Sequence, residues 1–165
     1  LLATIGSDGR PRSRVVLLKE TSCNGLVFFT HYTSPKGEQL AANPVASATL
    51  WWPHLMRQVR AVGAVTKLTR QENETYFAKR PRNSQLGAWA SRQSAPIVSH
   101  DDLLEAAAQA SERFEGKDVP CPPEWGGYRI DVDEFEFWQG QSGRLHDRVL
   151  AQRNVDGWNA IHIQP

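Results

Sequence analysis

Short apolar stretches separated by turn residues predict β-strands along the first third of the chain. Residues 1–5 are apolar and β-prone, residues 7–9 form a turn signal, and residues 13–19 predict a buried strand that completes a hairpin. A second turn at Asn24-Gly25 leads into a predicted strand at 26–30. Three strands within about thirty residues leave no room for crossover helices, so the sheet is predicted to be antiparallel.

The middle of the chain predicts helices and two longer strands. Ser34 suits an N-cap, Pro35 occupies the first helical position, and Asn43-Pro44 would end that helix. Further strands are predicted at 45–52 and 57–68, and further helices at 70–80, 84–92 and 101–114. Pro81 separates the first two of these helices, and the third has the polar spacing of a solvent-facing helix.

Strand character returns after a proline-rich connector at 119–124. The predicted strands lie at 128–132, 135–139, 148–152 and 158–163. Strands on both sides of a helical insertion, joined by short turns and without a βαβ rhythm, predict a mainly β fold, an antiparallel barrel with peripheral helices. We expect a single domain over residues 1–165.

Charge and cysteine content narrow the class of protein. Nineteen Lys and Arg against eighteen Asp and Glu give a net charge of +1, which excludes sequence-blind nucleic-acid binding through excess positive charge. Apolar runs fall short of the roughly 20 residues that span a bilayer. Cys23 and Cys121 lie in unrelated contexts, so we expect reduced thiols in a cytoplasmic protein. The chain opens on Leu1, and we expect that its natural N-terminus precedes this sequence.

The stretch around Pro81 is a candidate phosphate site. Tyr76 and Arg80 are four residues apart and would share one helix face, and Pro81 would release the chain to restart a helix near Asn83 or Ser84. Unpaired N–H groups, a hydroxyl and the positive end of the new helix dipole would then face Arg80, which suits a phosphate monoester. The alternative is an ordinary broken helix with a capping serine and a surface arginine.

A second candidate is the turn that leads from Trp138 to Arg148. Arg144 and His146 would lie on one strand face if the chain is extended there, and could bind an anionic oxygen and exchange a proton. The alternative is a polar hairpin in which Asp147 and Arg148 form ion pairs. No sequence pattern of His, Cys or carboxylates predicts a metal site.

Two weaker signals concern ligands. Lys36 lies in the first turn of its predicted helix, where a cation opposes the helix dipole unless an anion lies between them, which hints at a second phosphate. Six tryptophans are many for a core of this size and suit a flat aromatic ligand or a large apolar interface.

Taken in order, these motifs resemble the pyridoxamine 5′-phosphate oxidase family over nearly the whole chain. The matching segments are Arg-Val-Val-Leu-Leu-Lys at 14–19, Lys36-Gly37, Arg57-Gln58-Val59, residues 76–94, Trp-Gly-Gly-Tyr-Arg at 125–129, Phe-Trp-Gln-Gly at 137–140 and Arg-Leu-His-Asp-Arg at 144–148. The resemblance implies an antiparallel Greek-key split β-barrel of the FMN-binding type, a homodimer with FMN at the subunit interface. Pro35 stands where many members carry an arginine, which removes one cation from the FMN phosphate.

The resemblance also implies the site residues. The cofactor contacts would be Arg14, Val15, Val16, Leu17, Leu18, Lys19, Phe29, Thr30, Lys36, Gln58, Gln93, Ser94, Trp138 and Arg148. The substrate phosphate would be held by Lys19, Tyr76, Arg80 and Ser84. Arg144, Leu145 and His146 would lie over the pyridine ring, with Arg144 and His146 as the catalytic pair.

The implied activity is the oxidation of pyridoxamine and pyridoxine 5′-phosphate to pyridoxal 5′-phosphate, in vitamin B6 metabolism. Dioxygen would accept the electrons and hydrogen peroxide would be released, with neither nucleic acid nor a membrane as partner. One alternative is a phenazine-biosynthesis-type FMN oxidase of the same fold, whose reduced tricyclic substrate has no phosphate. The other is a flavin-binding carrier or sensor without turnover.

Overall fold

The computed structural model describes residues 1–23 and 25–165, which fall into two compact units. The first unit comprises residues 1–28, 39–66 and 129–165, and the second comprises residues 29–38 and 67–128. That the 165 residues form one domain stays a prediction.

Within residues 1–23 and 25–165, nine strands form one sheet. They are β1 (Leu2–Ile5), β2 (Pro11–Arg14), β3 (Glu20–Ser22), β4 (Gly25–His31), β5 (Val45–Trp52), β6 (Arg57–Lys67), β7 (Trp125–Gln139), β8 (Asp147–Asn154) and β9 (Gly157–His162). The strand order is β2-β1-β5-β6-β7-β4-β3, with β8 paired to β7 and β9 to β8. Each pair whose register is described is antiparallel, which confirms the predicted sheet type.

The part of the chain that the structure describes contains four α-helices, α1 (Pro35–Ala42), α2 (Arg70–Ala78), α3 (Arg82–Ala90) and α4 (His100–Arg113). The helix α1 begins after Ser34, whose hydroxyl accepts from the Gly37 N–H at 3.4 Å, and it ends before Asn43-Pro44 as predicted. None of the helices in the described ranges is both long and apolar enough to cross a membrane.

The second unit has an aromatic core. Its buried members are Phe77, Leu86, Ala88, Phe114, Val119, Cys121 and Trp125, and Phe29, Tyr76 and Trp89 pack against them. Leu86 and Ala88 come from α3 and Phe77 from α2, so the core fixes both helices on either side of Pro81. Two predicted substrate residues, Tyr76 and Arg80, therefore adjoin a well-packed framework.

A capping box begins α2, the helix that carries Tyr76. The Thr69 hydroxyl accepts from the Glu72 N–H at 3.2 Å, and the Glu72 carboxylate accepts from the Thr69 N–H at 2.7 Å. We expect Thr69→Ala to lower the free energy of unfolding by about 1 kcal/mol. Removal of the hydroxyl leaves the Glu72 N–H without its acceptor and disturbs the reciprocal bond from the Thr69 N–H to the Glu72 carboxylate. Denaturant unfolding measures the change, and Thr69→Ser is the control. Equal losses in both variants would contradict the role of the hydroxyl.

The predicted strand at 13–19 is wrong beyond Arg14. The β1–β2 register runs from the pair Ile5–Pro11 to the pair Leu2–Arg14, and residues 15–19 lie outside it. Residues 15–19 are irregular, and all of them except the half-buried Val16 are exposed, with Val15 81% and Leu17 69% accessible. Apolar composition alone predicted burial that the single chain does not provide. The predicted turn at Asn24-Gly25 falls partly outside the described residues, since these exclude Asn24.

Most other predicted elements differ from the observed ones by one or two residues at an end, and two of the differences have a clear local cause. The strands predicted at 128–132 and 135–139 are one strand, β7, because Glu134 stays in the ladder opposite Gln152. Acidic residues interrupt the apolar pattern there without interrupting the backbone pairing. The helix α3 begins at Arg82 with Pro81 as its N-cap, so Ser84 lies inside the helix, with its N–H bonded to the Pro81 carbonyl at 2.8 Å.

Candidate active site

A buried lysine forms the centre of a polar cluster in the second unit. Lys36 is 8% exposed, and its ammonium donates to Thr30 Oγ1 at 3.1 Å, Ser34 Oγ at 3.3 Å and Gln93 Oε1 at 3.0 Å. The Thr30 hydroxyl also donates to Gln93 Oε1 at 2.5 Å. These four residues, the Lys36 cluster, combine an ammonium and hydroxyls at the start of α1. This donor set suits a phosphate group.

Three of the predicted cofactor contacts, Thr30, Lys36 and Gln93, are thus brought together. The neighbouring Ser94 has a φ of 69°, in the left-handed region that non-glycine residues seldom adopt. Such conformations are concentrated at ligand sites, where the surrounding structure enforces them. The backbone strain at Ser94 supports its place in this site.

His31 belongs to the same neighbourhood and was not predicted. Its N–H contacts Gln93 Oε1 at 3.4 Å, and its carbonyl accepts from the Ser34 hydroxyl at 2.7 Å. Burial lowers the pKa of His31, the charges of Arg80 and Lys36 lower it further, and Glu124 acts in the opposite direction. The position of this histidine directly after the predicted contacts Phe29 and Thr30 was the available signal in the sequence.

The lowered pKa of His31 predicts a dependence of stability on pH. A histidine with a folded pKa below its unfolded value stabilises the fold above the unfolded pKa, and this contribution is lost as the pH falls through the folded pKa. We therefore expect His31→Asn to lose less stability than the parent on acidification from neutral pH. Urea unfolding across that range measures it, with His100→Asn as the exposed control. Parallel curves for parent and His31→Asn would contradict the assignment.

Arg80 lies just beyond the end of α2. The Arg80 N–H bonds to the Phe77 carbonyl at 3.1 Å, so the last turn is tight. The helix ends at Ala78, and the prediction that Arg80 shares the helix face of Tyr76 is wrong. Pro81 causes this, because the residue before a proline is disfavoured in a helix. The guanidinium lies over the ring of Trp125, 4.6 Å from its centroid.

The guanidinium of Arg80 is placed to bind an anion. Its Nη1 is buried and has no hydrogen-bond partner within the described residues. Burial lowers the pKa of Arg80, although the nearby Tyr76 and Cys121 raise it. A buried polar nitrogen without a partner is rare in proteins and calls for an explanation. A bound anionic oxygen would supply the missing acceptor.

Aromatic stacking fixes the ring of Tyr76. The Phe29 ring stacks on Tyr76 at 3.9 Å between centroids and on Trp125 at 5.1 Å. Tyr76 and Arg80 thus share Trp125 as a neighbour, with 6.2 Å between the Tyr76 and Trp125 centroids. The side chain of Phe29, a predicted cofactor contact, supports the tyrosine. Ser84 is half-buried in the first turn of α3.

Another predicted contact, Arg14, is held by a polar network in the first unit. Its guanidinium donates to Thr4 Oγ1 at 2.6 Å and to Gln39 Oε1 at 3.0 Å. Thr4 and Gln39 are buried, and burial lowers the pKa of Arg14. Both acceptors are neutral, so this arginine keeps its charge for an anionic ligand.

The segment that follows Arg14 presents apolar side chains. Val16 and Leu18 line a cavity of about 270 Å³ together with Trp51 and Trp52. Val15 and Leu17 are exposed, while the Lys19 N–H bonds to the Val27 carbonyl at 2.8 Å. These residues suit an apolar ring or a second subunit.

A second cavity of the first unit, about 420 Å³ in volume, brings two predicted contacts together. Gln58 and Trp138 line it with Trp52, Arg57, Phe137 and Asp147. Its size and its aromatic walls with few polar groups are typical of ligand pockets. The rings of Trp138 and His146 lie 4.7 Å apart, which places His146 beside this lining.

The predicted strand face of Arg144 and His146 is wrong. Residues Ser142–Arg144 form a short 3₁₀ turn, and β8 begins only at Asp147. Gly143 and Arg144 have φ values of 66° and 61°, so the backbone reverses where an extended chain was expected. His146 Nδ1 accepts from the Gln141 N–H at 3.1 Å, which leaves the proton of neutral His146 on Nε2. Leu145 is exposed.

The alternative interpretation of this hairpin is correct in part. Arg148 forms an ion pair, with Glu136 at 2.7 Å, and Asp147 lies 3.3 Å from His162. Within the described residues no group of three or more His, Cys, Asp or Glu side chains could hold a metal ion.

Two family models together match most of the chain. Residues 1–114 match the model described as pyridoxamine 5′-phosphate oxidase. Residues 125–165 match the pyridoxine 5′-phosphate oxidase C-terminal dimerisation region. The second match confirms the predicted homodimer.

Named relatives align over the full chain. It is 48% identical to the pyridoxine/pyridoxamine 5′-phosphate oxidase of Rubrobacter xylanophilus, covering 100% of this chain and 76% of that protein. It is 50% identical to the Mycolicibacterium smegmatis protein of the same name, covering 100% and 70%. The crystal structure of PhzG from Burkholderia lata, in complex with tetrahydrophenazine-1-carboxylic acid, superimposes with a TM-score of 0.93 at 35% identity over 99% of this chain and 80% of PhzG.

A more distant structure supports the fold alone. A pyridoxamine 5′-phosphate oxidase-related, FMN-binding protein of Nostoc punctiforme matches with a TM-score of 0.79 at 19% identity, over 99% of this chain and 86% of that one. The split-barrel fold and the resemblance found in the motifs are confirmed. The chain belongs to the pyridoxamine 5′-phosphate oxidase family of oxidoreductases.

Proposed function

We propose that this protein oxidises pyridoxamine 5′-phosphate and pyridoxine 5′-phosphate to pyridoxal 5′-phosphate in the cytoplasm, with dioxygen as electron acceptor and hydrogen peroxide as product. The observation that carries this proposal is the guanidinium of Arg80, half-buried over Trp125 with a nitrogen that has no hydrogen-bond partner among the residues the structure describes. A phosphate monoester supplies the acceptor that this nitrogen lacks. The names of the relatives at about half identity support the substrate class.

FMN is the cofactor, and the residues present fit it. In the second unit the Lys36 cluster offers a buried ammonium to a phosphate. In the first unit Arg14 offers a guanidinium to an anionic ligand. The cavity beside Gln58 and Trp138 has aromatic walls suited to a flat ring. Bound FMN supplies the capacity to accept a hydride from the substrate.

The protein's own residues bind and orient the substrate. We assign its phosphate to Lys19, Tyr76, Arg80 and Ser84, and the position of its pyridine ring to Arg144, Leu145 and His146. Anchoring the phosphate removes rotational freedom from the reacting carbon, which is the main contribution that a binding site makes to such a transfer. His146 holds a proton on Nε2 in its neutral form, so it can donate a hydrogen bond to the substrate.

The visible spectrum of the purified protein tests the proposal. We expect a yellow holoprotein whose absorbance is lost on anaerobic addition of pyridoxamine 5′-phosphate and returns in air, with pyridoxal 5′-phosphate and hydrogen peroxide as products. Pyridoxamine without its phosphate is the matched control and should react poorly. A yellow protein that the phosphate ester does not bleach would instead be a flavin carrier or sensor.

A second candidate is a phenazine oxidase, which the high structural similarity to PhzG favours. Its ligand, a tetrahydrophenazine carboxylic acid, has no phosphate for Arg80 to bind. Anaerobic bleaching by that compound, compared with bleaching by pyridoxamine 5′-phosphate, separates the two functions. Inhibition by inorganic phosphate is expected only for the vitamin B6 substrate.

A further inference from the structure

A buried glutamate joins two arginines in the first unit. Glu136 of β7 is 3% exposed. Its Oε1 accepts from Arg148 Nε at 2.9 Å and from Arg148 Nη2 at 2.7 Å. Its Oε2 lies 2.7 Å from Arg60 Nη2, in an ion pair that does not have the angle of a hydrogen bond. The carboxylate thus accepts two hydrogen bonds from Arg148 and attracts Arg60 by charge.

The contacts of Arg148 fix the plane of its guanidinium group. Nε and Nη2 bind one carboxylate oxygen, and Nη1 donates to the Gln164 carbonyl at 2.9 Å. A guanidinium has five N–H groups, so one on each Nη remains for a ligand. Among the described hydrogen bonds of Arg148, the one to Gln164 would remain without Glu136.

The strand register relates Arg148 to the ligand cavity. Arg148 stands opposite Trp138 in the β7–β8 ladder, and Trp138 lines the 420 Å³ cavity. Directly paired residues of an antiparallel ladder project from the same face of the sheet, so Arg148 shares a face with Trp138, a residue of the wall where we place the ring of FMN.

We propose that Glu136 is a positioning residue that orients the guanidinium of Arg148 toward bound FMN. This inference rests on the proposed function to the extent that Arg148 is a cofactor contact. A buried carboxylate is costly to desolvate, and a carboxylate that only stabilised the fold could be replaced by apolar residues. Its two bonds to one guanidinium edge give a reason for keeping it, because they fix an orientation.

The chain contains a matched control for Glu136. Glu134 lies two residues earlier, on the same strand, at 3.8 Å from Arg60 and with Gln152 as its other partner. Its described contacts do not include Arg148. Loss of the Glu134 charge therefore removes one of the two carboxylates beside Arg60, and it leaves the contact between Glu136 and Arg148 in place.

Titration of the apoprotein with FMN, followed by flavin fluorescence, tests the role. We expect E136Q to raise the Kd for FMN roughly tenfold, while E134Q and R60Q stay within about twofold, because only the first change releases Arg148. We expect E136Q/R148Q to bind FMN no more weakly than R148Q alone. Thermal unfolding of each apoprotein shows that the comparison is made on folded protein.

Three results would overturn the inference. They are an E136Q Kd equal to or below that of the parent, an equal weakening by R60Q, and additive losses in the double variant. If E136Q does not fold, E136D retains the charge but shortens its reach to Nε and Nη2, and it should weaken FMN binding likewise. If pyridoxamine 5′-phosphate fails to bleach the holoprotein while this pattern of Kd values holds, the proposed substrate is wrong and the role of Glu136 stands.

Discussion

Replacement of Arg80 by alanine is expected to raise the KM for pyridoxamine 5′-phosphate by about 10- to 150-fold, which corresponds to about 1.5–3 kcal/mol for a hydrogen bond to a charged group. The side chain loses the buried nitrogen that we assign to the phosphate, while the Trp125 ring on which it rests remains. The FMN content should not change. Steady-state kinetics at saturating FMN, with flavin counted from the absorbance, measures both quantities.

Arg113→Ala is the matched control for this prediction. The Arg113 guanidinium also lies over a tryptophan of the second unit, 4.8 Å from the centroid of Trp89, but it is not a predicted substrate contact. Its loss should leave the KM unchanged. A parallel loss of FMN in Arg80→Ala would show that Arg80 serves the phosphate of the cofactor and not that of the substrate.

Replacement of Lys36 by methionine is expected to weaken FMN binding by about 100-fold, because the FMN phosphate would lose the buried ammonium charge that we place beside it at the start of α1. Methionine keeps most of the aliphatic stem and removes the charge. Titration of the apoprotein with FMN measures the Kd, and kinetics at saturating FMN should return a KM close to that of the parent.

Lys67→Met provides the comparison for Lys36→Met. The Lys67 ammonium lies 4.3 Å from the centroid of the Tyr32 ring, so its removal deletes a cation of the same unit outside the Lys36 cluster. FMN affinity should be unaffected there. An unchanged Kd in Lys36→Met would remove the cluster from the cofactor site.

The helices and the antiparallel pairing were predictable because their signals are local. Ser34, Pro35 and Asn43-Pro44 bound α1 as predicted, and β5 has the bounds predicted from its apolar pattern. Capping chemistry and short-range alternation act within a few residues, so they do not need the rest of the fold.

The failures concern features that depend on distant residues. Residues 15–19 have strand composition, yet they lie outside the strands and outside the β1–β2 register. Arg144 adopts a positive φ after Gly143, a conformation that residue spacing does not reveal. The partner of Arg148 is Glu136, twelve residues earlier, and its selection required the β7–β8 register. Local rules place side chains along the chain, and tertiary pairing decides which of them meet.

Val15 and Leu17 leave aliphatic surface in water when the chain is alone. Burial of such surface contributes about 25 cal/mol per Å², so a second subunit that covered this segment would also stabilise the fold. By mass action, dilution shifts the population toward lone subunits that lack this contribution. A cell that makes little of the protein would hold a larger share of it as less stable lone subunits. The abundance of the protein would then affect its lifetime.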